Sequence, residues 1–127
     1  MTKKARIHEI MTLPCTGEFI EKKSFATIDR EAPSHNFSAQ EWQIVRRMIH
    51  TTGDFSIMDS VKFSADAIQA GIAALKAGRP IYADSNMISS GLSMKRLGSV
   101  SDLFDRHSVH CYIADEKVAE EARRLGS

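Results

Sequence analysis

The clearest periodicity of apolar and polar positions lies between residues 38 and 53. Trp42, Val45 and Ile49 recur at helical spacing, with Met48 and Thr52 beside them, and Gln43, Arg46, Arg47 and His50 take the opposite side. Ser38-Ala39-Gln40-Glu41 has the form of a capping box, and Gly53 suits the helix end. A second stripe, Ile68, Ile72 and Leu75, predicts a helix capped by Ser64, with Asp66 in its first turn and Gly78 at its close. A last helix opens at Asp115. Asp115 and Glu116 stand at its start and Arg123-Arg124 at its end, as the helix dipole favours.

Between these helices the pattern predicts strands. Residues 18–30 read as extended, because Phe19, Phe25, Thr27 and Ile28 favour a pleated surface. Glu31 to Phe37 forms a break, and Leu13-Pro14-Cys15-Thr16-Gly17 has the composition of a loop. Val61-Lys62-Phe63 and Ser108 to Ile113 are strand candidates. Pro80 to Asp84 reads as a buried strand that starts on proline, where a missing N–H matters least. Asn86 to Leu92 is a short helix closed by Gly91. This alternation predicts an α/β fold with a mainly parallel sheet covered by helices on both faces, as a single domain over residues 1–127. Ligands in such sheets bind at the carboxyl ends of strands, which draws attention to Ser64, Asp84-Ser85-Asn86 and Ala114-Asp115.

Composition narrows the class. The 127 residues are 43% hydrophobic and 26% charged, as in ordinary globular domains. A net charge of +1 gives no field that would draw nucleic acid or a membrane surface, and the basic clusters Lys3-Lys4-Ala5-Arg6 and Lys22-Lys23 read as solvated edges. No run approaches the roughly 18–20 apolar residues that span a bilayer, and Met1 to Ile10 lacks the apolar stretch of a secretory signal. Cys15 and Cys111, far apart, read as free thiols of a cytoplasmic protein.

Two histidine settings offer chemistry. His50, on the polar side of its helix one turn beyond Arg46 and Arg47, is either a solvent-exposed histidine or a general acid. A histidine side chain in general has both forms available near neutrality. Asp54, four residues on, is positioned to orient the ring unless Gly53 turns the chain away. His107-Ser108-Val109-His110-Cys111 has the look of a metal motif. On a strand, however, His107 and His110 point to opposite faces, and no second cluster completes four ligands, so no metal site is assigned. The phosphate-cradling patterns GxGxxG and GxxxxGK[ST] and the GxSxG nucleophile elbow are absent.

Several segments, taken in order, resemble a known family. They are Ile20-Glu21-Lys22-Lys23-Ser24-Phe25-Ala26-Thr27-Ile28, Arg46-Arg47-Met48-Ile49-His50-Thr51-Thr52-Gly53-Asp54-Phe55, Val61-Lys62-Phe63-Ser64 with Ala70-Gly71-Ile72, Gly78-Arg79-Pro80-Ile81, Asp84-Ser85-Asn86-Met87, Gly91-Leu92-Ser93 with Arg96-Leu97, Val109-His110-Cys111-Tyr112-Ile113 and Val118-Ala119-Glu120-Glu121-Ala122. Together they resemble the precorrin-8X methylmutases over about residues 7–125.

The resemblance implies an isomerase of cobalamin biosynthesis that moves a methyl group from C11 to C12 of precorrin-8X or cobalt-precorrin-8 by acid catalysis and without a cofactor. It implies that His50 is the catalytic acid, that Ser24 and Arg47 bind substrate, and that Ser93 stands where the family has a small hydroxyl residue. It further implies a flavodoxin-like three-layer sandwich and a homodimer with the active site near the subunit interface. The partners are then a corrinoid tetrapyrrole and a second copy, with no nucleic acid and no membrane. Family members continue past the point matching Ser127, with a Thr-Arg-Ser segment, further strands and helices and a Gly-rich region. The chain is therefore expected to be the N-terminal and central part of the domain, and to self-associate or swap an element through surface that longer members cover. A non-catalytic relative that binds a tetrapyrrole or pairs with a full-length subunit is the alternative.

Overall fold

The computed structural model describes residues 16–126. The loop reading of residues 1–15, the basic cluster at Lys3 to Arg6 and the thiol of Cys15 lie outside the described residues. The chain divides into two compact units, one ending at Ser64 and the other beginning at Ala65.

The first unit is helical. α1 (Gly17–Glu31) and α2 (Ala39–Thr52) pack against each other, and the single turn α3 (Ile57–Ser60) packs on α2. The expectation of extended structure over residues 18–30 is wrong, for reasons visible at both ends of α1. Thr16 caps it by accepting the N–H of Phe19, Glu18 lies in the first turn, and Arg30 lies in the last. Its β-favouring residues are absorbed into the helix: Ile28 is buried, Phe25 packs beside it, and the Thr27 hydroxyl donates to the Lys23 carbonyl. Packing against α2 thus overrides a propensity that spans only about 1 kcal/mol.

α2 follows its pattern closely. The capping box of Ser38 and Glu41 is complete in both directions, and Gly53 ends the helix in the left-handed region at φ 68°. Val45 and Ile49 are buried, and Trp42 packs at the edge of the same cluster. Phe37, Phe55, Ile57, Met58, Val61 and Phe63 complete it. Each buried aliphatic side chain contributes about 1.5–3 kcal/mol. Val61-Lys62-Phe63 is not a strand. Val61 and Phe63 turn onto the core while Lys62 stays exposed, an alternation that packs on helices without a partner strand.

The second unit begins with α4 (Ala67–Lys76), whose N-cap position is held by Asp66 and not by Ser64 as expected. Gly78 follows with φ +63°, and a Cβ there would lie 2.5 Å from the Cβ of Leu103, so both backbone and space require glycine. The strands are shorter than predicted. β1 (Ile81–Tyr82) and β2 (Val109–His110) form a parallel pair with Ile81 opposite Val109 and Tyr82 opposite His110. Tyr82 is exposed, against the expectation of a buried strand. α5 (Asn86–Gly91) matches its prediction, whereas α6 (Met94–Val100), which packs on α4, was not anticipated. A 3-10 turn (Arg106–Ser108) precedes β2, and α7 (Glu116–Leu125) is capped by Asp115. The described fold is mixed α/β, mostly helical, with a small parallel sheet.

Candidate functional site

α1 and α2 form a helical hairpin whose facing surface is partly polar. Ser24 is one turn before Ile28, and His50 adjoins Ile49, so the buried pair sets the two polar residues face to face. The Ser24 Oγ lies 2.7 Å from the His50 Nδ1 in a half-buried setting. The Phe25 ring meets the imidazole edge-to-face, with centroids 5.3 Å apart. A hydroxyl on Nδ1 and an aromatic wall together fix the plane of the ring.

Two guanidinium groups cover Phe25, Arg46 at 4.5 Å and Arg47 at 5.2 Å from the ring centroid. Each is tethered to α1 by a carboxylate. Arg46 pairs with Asp29 at 2.7 Å, and Asp29 also accepts the Trp42 indole N–H at 2.8 Å. Arg47 pairs with Glu21 at 2.6 Å, with its side chain 54% exposed. A pair that exposed is worth about 0–1 kcal/mol, so Glu21 is readily exchanged for the carboxylate of a ligand.

His50, Ser24 and Arg47 thus lie together, with Phe25, Glu21, Arg46 and Asp29 as neighbours that sequence reasoning did not assign to the site. The extended reading of residues 18–30 hid the shared face of Glu21, Ser24, Phe25 and Ile28. Asp54 does not serve as the ring's orienting group. It follows the left-handed turn at Gly53, accepts the Ser56 N–H at 2.8 Å, and has its carboxyl held below the usual range by hydrogen bonds from Ser56. Ser93 belongs to the second unit, where its hydroxyl caps α6 by accepting the Arg96 N–H at 3.2 Å. An open groove of about 520 Å³ in the first unit is lined by Phe37, Phe55 and Phe63 with His35, Glu41 and Lys62, and not by Ser24, Arg47 or His50.

The turns after the strands use their polar groups locally. Ser85 caps α5 and Asp115 caps α7. His107 lies in the 3-10 turn and not on a strand, so its orientation is not set by strand alternation. His110 Nδ1 faces the Tyr112 hydroxyl at 3.4 Å. Among the described residues, no three His, Cys, Asp or Glu side chains gather to hold a metal ion, and no helix is long and apolar enough to cross a membrane.

A half-buried imidazole held by a hydroxyl, beside a Phe25 ring that carries two arginines, is suited to acid–base chemistry on an anionic ligand. The chain belongs to the precorrin-8X methylmutase family, whose sequence model matches residues 19–127. It is 45% identical over 111 residues to a cobalt-precorrin-8 methylmutase of Leptospira interrogans, covering 87% of this chain and 48% of that protein. It is 36% identical over 121 residues to one from Priestia megaterium, covering 94% and 51%. The crystal structure of a precorrin-8x methyl mutase from Thermus thermophilus superposes with a TM-score of 0.69 at 38% identity, over 85% of this chain and 50% of that one. The chain spans about half the length of the curated relatives it matches.

Proposed function

We propose that this chain carries the acid-bearing part of an isomerase of cobalamin biosynthesis, which shifts a methyl group from C11 to C12 of precorrin-8X or cobalt-precorrin-8. The observation that carries the reading is the 2.7 Å contact between Ser24 Oγ and His50 Nδ1. With Nδ1–H donating to the hydroxyl, the protonated ring has one transferable proton, on Nε2. That proton goes to the conjugated macrocycle and makes it electron-poor. The C11–methyl bond breaks, the C12–methyl bond forms, and the proton returns to His50, so no atom is gained or lost. Ser24 keeps its Nδ1–H bond throughout and holds the ring in register.

Arg47 releases Glu21 and takes an acetate or propionate group of the substrate in a bidentate contact. Ser93, which stands where the family has a small hydroxyl residue, is a further substrate-binding candidate. The two units are parts of one domain, flavodoxin-like and three-layered when whole, working as a cytoplasmic homodimer with the site near the subunit interface. The chain's half-length match also favours a second reading, a non-catalytic relative that binds a tetrapyrrole or pairs with a full-length subunit.

One experiment separates the two. The chain is joined to the part of the Leptospira interrogans relative outside the matched 111 residues and assayed on the corrin precursor by absorbance. The catalytic reading expects turnover. Tight binding of the macrocycle without turnover favours the second reading.

A further inference from the structure

The two arginines beside Phe25 are held differently. Arg47 pairs with Glu21, and its side chain is 54% exposed. Arg46 pairs with Asp29, and its side chain is 25% exposed. Arg46 Nη1 donates to one oxygen of Asp29 at 2.7 Å, and the Trp42 indole N–H donates to the other at 2.8 Å. Trp42 is itself stacked on His35, with ring centroids 4.2 Å apart. Both oxygens of Asp29 are therefore engaged, and freeing Arg46 for a ligand would disturb two bonds at once.

The spacing explains what this lock is next to. Trp42, Arg46 and His50 follow one another at four-residue intervals along α2, and Phe25 and Asp29 do so along α1, so each set shares one side of its helix. Asp29 meets Trp42 and Arg46, while Phe25 meets Arg46 and His50. The guanidinium lies 4.5 Å from the Phe25 centroid, and the imidazole lies 5.3 Å from it at an interplanar angle of 69°. Arg46 Nε is buried without a hydrogen-bond partner among the described residues. An unpaired buried donor is costly. A planar guanidinium that meets Asp29 and Phe25 together offsets that cost.

We propose that Arg46 is a positioning residue: fixed by Asp29, it holds the Phe25 ring against the His50 imidazole and takes no carboxylate of the substrate. Ser24 fixes one ring nitrogen, and Phe25 fixes the tilt that a single hydrogen bond leaves free. The effect on turnover rests on the acid reading of His50, whereas the placement of the imidazole is measurable without it.

The test pairs proton NMR of the imidazole in the 127-residue chain with steady-state kinetics of the completed enzyme. The ring current of Phe25 displaces the signals of the His50 carbon-bound protons, which the spectrum of His50→Ala identifies. Arg46→Gln keeps the Phe25 ring but should move those signals toward the values of a free histidine. In the completed enzyme kcat should fall about 10- to 100-fold, with KM changed by less than about twofold. Arg46→Lys keeps the charge but not the planar fork and should behave as Arg46→Gln does. Asp29→Asn changes a side chain that is 42% exposed, and it should show a smaller change in the same direction, which carries the test should Arg46→Gln not fold. Imidazole signals unmoved in both Arg46→Gln and Asp29→Asn overturn the proposal. So does a KM raised about tenfold with kcat unchanged, the signature of a substrate ligand. Moved signals together with near-normal turnover of His50→Ala would sink the acid reading alone and leave the placement of the ring by Arg46 supported.

Discussion

Replacing Ser24 with alanine removes the hydroxyl that meets His50 Nδ1 at 2.7 Å and leaves the Phe25 wall in place. A half-buried hydrogen bond of this kind contributes about 0.5–1.5 kcal/mol net. With about 1.4 kcal/mol per factor of ten, the ratio of the two neutral imidazole tautomers should change about 2- to 12-fold. The proposed mechanism has Ser24 accept from Nδ1–H and not donate to Nδ1, and on that assignment Ser24→Ala moves the ring toward Nε2–H. Nitrogen-15 NMR of the imidazole reads this directly in the chain itself, without substrate. In the completed enzyme, kcat should fall by about the same factor with KM nearly unchanged, and Ser24→Thr should recover most of it. An unchanged tautomer ratio would refute the positioning role of Ser24, even if activity fell.

Arg47→Ala should raise KM for the carboxylate-bearing substrate by about tenfold while changing kcat little, because the Arg47–Glu21 pair is exposed; steady-state kinetics of the completed enzyme measure both. Ile49→Ala should cost about 2–5 kcal/mol in urea denaturation, since Ile49 is buried in the α1–α2 core, whereas the exposed neighbour Met48→Ala should cost under about 1 kcal/mol. Gly78→Ala should lower stability by about 1–3 kcal/mol and show it as a lower melting temperature, because its backbone is left-handed and the added Cβ meets Leu103.

How far the sequence discloses this structure differs from helix to helix. α2 was legible because three independent signals agree: a capping box at Ser38 and Glu41, an apolar stripe at Val45 and Ile49, and glycine at position 53. α1 was not, because its inward face mixes Glu21 and Ser24 with Phe25 and Ile28. The site residues occupy positions that an apolar stripe would otherwise fill, which erases the periodicity that announces a helix. The resemblance put Ser24, Arg47 and His50 in one site, but not the direct contact that holds the ring. Ser24 and His50 were each singled out in separate motifs, but their contact spans 26 residues and needs the hairpin to become visible. β1 and β2 are too short for alternation to delimit, so only their approximate places were readable. α6 was not anticipated; Ser93, noted only through the resemblance, is its cap.

The central claim is that His50 delivers the proton. Its most direct test is single-turnover isomerisation by the completed enzyme with His50→Ala, alongside titration with the corrinoid product. Turnover about 10²–10⁴-fold slower with product affinity retained is the expected result. Near-normal turnover in that variant would contradict the account.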